Sequence, residues 1–180
     1  MPQVEAVKDK DFDILFLTDY VDEFAITALQ EYEEKKFQNI ENGDLDLESD
    51  EEKESTKKSN KENKDLLKDM ASVLGEVEEV KFTNKLKNHP VCLTSKGDVS
   101  IEMQKVFDAM PNGMGIKATL VLEINEKHPI STKLKELYKD DKETFDKYAK
   151  ILYSEARTIA GLSVDNPTEI TSLICDVISK

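Results

Sequence analysis

His89 and Cys92 stand three residues apart in "HPVC", and a neutral imidazole and a thiolate are both good zinc ligands. A closed zinc site needs four such donors, and neither a second Cys-x-x-Cys nor a nearby histidine completes the set; His128 and Cys175 would have to be delivered by folding. Gly113, Gly115 and Ala118 match the spacing of a dinucleotide fingerprint. They precede a strand-like run, so no helix N-terminus is aimed at a pyrophosphate. Carboxylates are plentiful, yet none lies among apolar and aromatic neighbours that would single it out as a proton donor. No Ser, His and Asp constellation stands out. The pattern is that of a scaffold and binding protein, with no metal, catalytic residue or cofactor assigned.

The residue types with the most to offer a partner are apolar. Val99, Met103, Val106, Phe107 and Met110 recur at helical spacing in "DVSIEMQKVFDAM" and put one apolar stripe on a short helix. Periodicity alone leaves two readings of that stripe, a core face or a face kept open.

Charge narrows the choice of partners. The chain has 180 residues, 38% of them apolar, and a net charge of −13. It is long enough for a real core. Among 25 basic residues only Arg157 is an arginine, so no guanidinium cluster grips phosphates and nucleic acid is not an expected partner. No run of about 18 apolar residues is present to span a bilayer. The opening "MPQVEAVKDK" lacks the layout of a signal peptide, and a cytoplasmic location is the expectation. Cys92 and Cys175 are expected as two reduced, buried thiols.

The elements that must position these residues can be read in turn. Val4 and Val7 after Pro2 give a brief helical pattern, and "DILFLT", residues 13–18, reads as a strand buried on both faces. Asp19 is expected to cap a helix over "YVDEFAITALQEY". Such a strand and helix need more sheet than the chain supplies, so the expectation is a start inside a larger domain. Residues 41–65 have only Leu45 and Leu47 to bury and read as an acidic linker that turns helical toward its end. Leu66, Leu67, Met70, Val73 and Leu74 predict a helix closed by Gly75. "EVKFTNKL", "PVCLTS" and "IKATLVLEIN" alternate as strands. Pro129 opens a helix with Leu134 and Leu137, a longer stripe runs from Phe145 to Ile159, and Asn166, Pro167 and Glu169 begin a last helix with a capping box.

Longer strings carry more than periodicity. "ILFLTDYVDEFAITAL", "EYEEKKFQNI", "DLDLESDEEKE", "FTNKLKNHPVCLTSKGDVSIEMQKVF", "AMPNGMGIKA", "LEINEKHPI" and "DNPTEI" follow one another in this order. Over nearly its whole length the chain resembles the C-terminal end of bacterial heat-shock protein 90 chaperones of the high-temperature protein G type. The resemblance implies an α+β fold: a truncated α/β fragment, then a small mixed sheet with helices and a C-terminal helical pair that forms a four-helix bundle across a dimer. It divides the chain into the end of a middle domain (1–40), an acidic linker (41–64) and a dimerisation domain (65–180).

The implied function is dimerisation and client binding within an ATP-dependent, stress-response chaperone. The partners would be a second copy and unfolded proteins. Val99, Met103, Val106, Phe107 and Met110 would face clients. Leu152, Ala156, Ile159, Ile170, Leu173, Ile174, Val177 and Ile178 would be interface or local core. The family's ATP and magnesium site and its hydrolysis-assisting arginine lie outside this chain, which would not be an enzyme by itself. A purely structural dimeriser is the alternative. The sequence departs from the family at Tyr20, where proline is usual, and at Glu34, where "EYEGKK" has glycine and a slightly different turn is therefore expected. It ends at "VISK" with no EEVD-type acidic tail, so co-chaperones that read such tails are not expected.

Overall fold

The computed structural model describes residues 2–8, 12–19, 21–40, 48–111 and 115–179. The described elements are α1 (Pro2–Lys8), α2 (Asp22–Leu29), β1 (Glu31–Tyr32), β2 (Lys35–Lys36), α3 (Asp50–Glu62), α4 (Lys64–Leu74), β3 (Glu79–Thr83), β4 (Val91–Lys96), α5 (Ile101–Ala109), β5 (Thr119–Asn125), α6 (Pro129–Asp140), α7 (Lys142–Ile159) and α8 (Pro167–Ile178). The fold is α+β.

Alternation in the strands builds the core. β5 is the middle of a mixed sheet in the order β3-β5-β4, parallel to β3 and antiparallel to β4. Register aligns Val80, Leu122 and Leu93, and beside them Phe82, Ile124 and Val91, so one face is apolar across all three strands. α4 packs on β3 and α7 on β4, each offering its stripe: Leu66, Leu67 and Met70 from α4, and Phe145, Ala149, Leu152, Tyr153 and Ala156 from α7. A fully buried side chain of this size contributes about 1.5–3 kcal/mol. Gly75 ends α4 at φ +69° with open space around it, the left-handed conformation that glycine adopts without strain.

The other sheet face is polar but not open. Lys81, Glu123 and Cys92 align across it, and Glu123 is 1% exposed. Its carboxylate accepts from Thr94 Oγ1 at 3.0 Å and lies 3.1 Å from Lys81 Nζ. At the strand end Asn125 donates to the carbonyls of Lys87 and His89, pinning the loop between β3 and β4. α1 lies beside β4, with Gln3 donating to the Leu93 carbonyl at 3.1 Å.

Several expectations are corrected. Residues 12–18 form no strand, and Phe16 is 67% exposed, because no described strand pairs with the run. Asp19 does not cap α2. Val21 occupies the cap position, and the Asp22 carboxylate accepts from the Thr18 and Asp19 amides at 3.0 Å each. Those backbone bonds hold Asp22 below the usual carboxylate range. The expected turn to helix toward the end of the linker is present, over residues 50–62. Ser49 and Glu52 form a capping box, and Asn60 exchanges two bonds with the Phe82 backbone, tying α3 to β3 despite its polarity. Leu45 and Leu47 lie outside the described residues, as does Tyr20. The hairpin β1-β2 turns through Glu33 and Glu34 at φ +47° and +63°, so both residues hold the left-handed conformation that glycine adopts without strain. Cys92 is buried and Cys175 exposed, since Cys175 falls off the apolar stripe of α8; neither forms a disulfide.

Candidate functional site

α5 opens at Ser100, whose hydroxyl accepts from the Met103 amide at 2.9 Å. The same hydroxyl donates to the Glu23 carboxylate of α2. Gln104 accepts from the Ala118 amide at 2.9 Å, fixing the helix against the start of β5. The fully buried residue of α5 is Ile101, a member of the core. At roughly 100° per residue, Ile101 and Met103 lie about 160° apart around the helix axis. The Met103 stripe therefore points away from the core that Ile101 enters.

Val99, just before the helix, is partly buried against the core. Met103, Val106 and Phe107 are half-buried and Met110 is 42% exposed. Part of the cover comes from α2: the Phe24 ring meets Phe107 edge-on, centroids 6.3 Å apart. Edge-to-face packing of this kind is worth about 0.5–1.5 kcal/mol beyond area burial, enough to hold a weak contact and little enough to release it.

The second surface is the helical hairpin α7-α8. Leu152 and Ala156 belong to the core of the single chain, which accounts for both without an interface. Ile159 is half-buried. α8 buries none of its residues: Ile170, Leu173 and Val177 are half-buried, Ile174 is 37% exposed and Ile178 is 78% exposed. The Asn166 side-chain oxygen Oδ1 accepts from the Glu169 backbone amide at 3.1 Å, and the Glu169 carboxylate accepts from the Asn166 side-chain amide, a variant of the expected box. α8 is held to α7 by Lys147 with Asp176 and Lys150 with Glu169, both 3.0 Å. Asp176 first, then Glu143, raises the Lys147 ammonium above its ordinary value.

The polar candidates do not converge. The His89 imidazole faces Glu5 at 3.7 Å, Cys92 is buried in β4, and His128 Nδ1 accepts from the Ile130 amide as the cap of α6. Among the described residues no three His, Cys, Asp or Glu side chains are grouped to hold a metal ion. Gly113 lies outside them, and Gly115 lies in the loop before β5. None of the described helices is long and apolar enough to cross a membrane.

Sequence reasoning missed Glu23 and Phe24 as neighbours of the stripe and Ile101 as its anchor. The signal for Ile101 was present, since it lies off the stripe by simple helical angle. For Phe24, 83 residues before Phe107, there was none.

A small α+β domain with two amphipathic helices left partly open is thus what surrounds these residues. The model of the Hsp90 protein family matches residues 1–180, and the chain belongs to that family. Its similarity to individual members is close. It is 48% identical over 176 residues to the chaperone protein HtpG of Clostridium perfringens (strain 13 / Type A), covering 97% of this chain and 28% of the relative. Against the HtpG of Clostridium botulinum (strain Langeland / NCTC 10281 / Type F) it is 46% identical over 178 residues, 98% of this chain and 28% of the relative. Against that of Alkaliphilus oremlandii (strain OhILAs) the identity is 42% over 176 residues, again 97% and 28%. The chain spans about 28% of the length of these curated relatives.

Proposed function

We propose that this chain is the C-terminal part of a molecular chaperone, a module that dimerises and binds unfolded clients. The observation that carries the reading is that α8, with five apolar residues, buries none of its side chains within its own chain. A second copy that pairs α7 and α8 with their counterparts would cover that face in a four-helix bundle. Ile159, Ile170, Leu173, Ile174, Val177 and Ile178 are the interface residues, with Leu152 and Ala156 behind them in the core. The stripe of α5 takes clients, extended by Phe24. Its methionines suit the task because a flexible, polarizable side chain fits unlike partners. Clients are held weakly, over a helix of nine residues.

The ATP and magnesium site belongs to the remainder of the parent chaperone, so this chain alone hydrolyses no ATP. Its working place is the cytoplasm.

The experiment is sedimentation across a concentration series together with suppression of aggregation of a chemically unfolded model protein. The reading expects a dimer at tens of micromolar and weakened suppression in Met103→Ser with Phe107→Ser. A monomer at that concentration refutes dimerisation. A second reading, a purely structural dimeriser, is favoured by the Phe24 ring lying over Phe107. It expects dimerisation with no effect of the double substitution on suppression.

A further inference from the structure

The one arginine of the chain sits in the last turn of α7 with its side chain only 13% exposed. Arg157 Nε donates to the Ser163 carbonyl at 2.7 Å, in the loop that leads to α8. Its Nη1 donates to Glu76 at 2.6 Å and to the Tyr153 hydroxyl at 3.2 Å, and lies 3.4 Å from Asp165. Glu76 follows α4 in the turn toward β3. Gly161, at φ +70°, reverses the chain between α7 and this loop, and the Leu162 amide donates back to the Arg157 carbonyl at 2.9 Å. One guanidinium therefore joins three segments: the end of α7, the loop 161–166 and the turn after α4.

The rest of α8 is loosely held. None of its side chains is buried, and its two ion pairs to α7 are between partly exposed groups that solvent screens. Packing within the chain thus does little to fix where its apolar face points. The planar fork of an arginine offers donors in two directions at once, whereas a lysine offers a point charge on a flexible stem.

From this arrangement we infer that Arg157 is a positioning residue for α8: it locks the loop 161–166 to the turn after α4 and so sets the direction of the face that meets a second copy. The inference rests on the dimerisation reading for its purpose, but the lock itself is independent of it.

The test uses the full chain with Arg157→Lys, Arg157→Ala and, leaving α7 untouched, Glu76→Gln. Amide hydrogen exchange is followed at Gly161, Leu162 and α8, with β5 as the internal reference for an intact fold, and sedimentation gives the dimer dissociation constant. Expected are exchange at least tenfold faster at Gly161, Leu162 and α8 and a dissociation constant raised at least tenfold, with β5 unchanged. Arg157→Lys should behave like Arg157→Ala, since charge alone does not span the loop and the turn. Unchanged exchange and dissociation in Arg157→Lys and Glu76→Gln would overturn the inference. A wild-type chain that stays monomeric refutes the dimerisation reading, and the exchange data then still decide whether Arg157 locks the loop.

Discussion

At the scale of single residues the chain places two polar groups where burial gives them weight. Glu123 is held between Lys81 and Thr94 on the covered polar face of the sheet. Removing its carboxylate strips the Thr94 hydroxyl of an acceptor and Lys81 of its counter-charge, so Glu123→Ala should cost about 2 kcal/mol in urea unfolding. Tyr153 is the second case. Burial pushes its phenol up to about 12; the Arg157 guanidinium beside it opposes the rise, and Glu76 adds to it. A phenol whose folded value lies above its unfolded value of about 10 stabilises the fold fully below pH 10. That contribution is lost as pH climbs from 10 to 12. Ultraviolet titration of the five tyrosines should show one ionising near 12, and Tyr153→Phe should abolish that step and flatten the alkaline loss of stability.

At the scale of elements, turn and cap chemistry decides more than hydrophobic pattern does. α3 has almost nothing to bury, yet its capping box and the bonds from Asn60 to Phe82 keep it helical and docked. Two turns make opposite demands at the same kind of backbone. Gly75→Ala forces a Cβ into a left-handed residue with φ +69° and should destabilise α4 by about 1 kcal/mol, read by thermal melting. Glu34→Gly relieves the same strain at φ +63° and should slow amide exchange in the β1-β2 hairpin. α5 shows why a stripe is not automatically a core face: Ile101 takes the inward side, and the Met103 stripe is left to Phe24 and whatever else can reach it.

At the scale of the molecule, the helical hairpin buries some of its apolar residues in the core and leaves others half-buried or exposed. Leu152→Ala should cost about 2–5 kcal/mol in unfolding because it empties a packed site in the core. Ile174→Glu with Ile178→Glu should leave unfolding within about 0.5 kcal/mol when it is measured at a concentration too low for dimerisation, both being exposed, while sedimentation at tens of micromolar shifts toward monomer. A shared loss of stability in both experiments would place the two isoleucines in the core instead. The exposed run from Phe12 to Leu17 belongs to the same scale, since an apolar segment needs partners before it can become a strand.

Much of this was legible in order. The three alternating strands, the helices from α4 to α8, Pro129 and Pro167 at helix starts and Gly75 at a helix end all follow from periodicity and caps, which are local physics. The long quoted strings gave the family, which the comparison with known members bears out. What failed were readings that depended on neighbours distant in the chain. "DILFLT" has the composition of a buried strand but no described strand to pair with. Cys175 is a local miss instead: helical angle alone puts it off the apolar stripe of α8. By itself the sequence determined which residues share a helix face or a strand face, because backbone geometry sets that over a few residues. Only the tertiary structure decided which of those faces is closed, that Glu123 lies under cover, that Phe24 reaches Phe107 and that Arg157 joins three segments, because each depends on contacts between residues that only folding brings together.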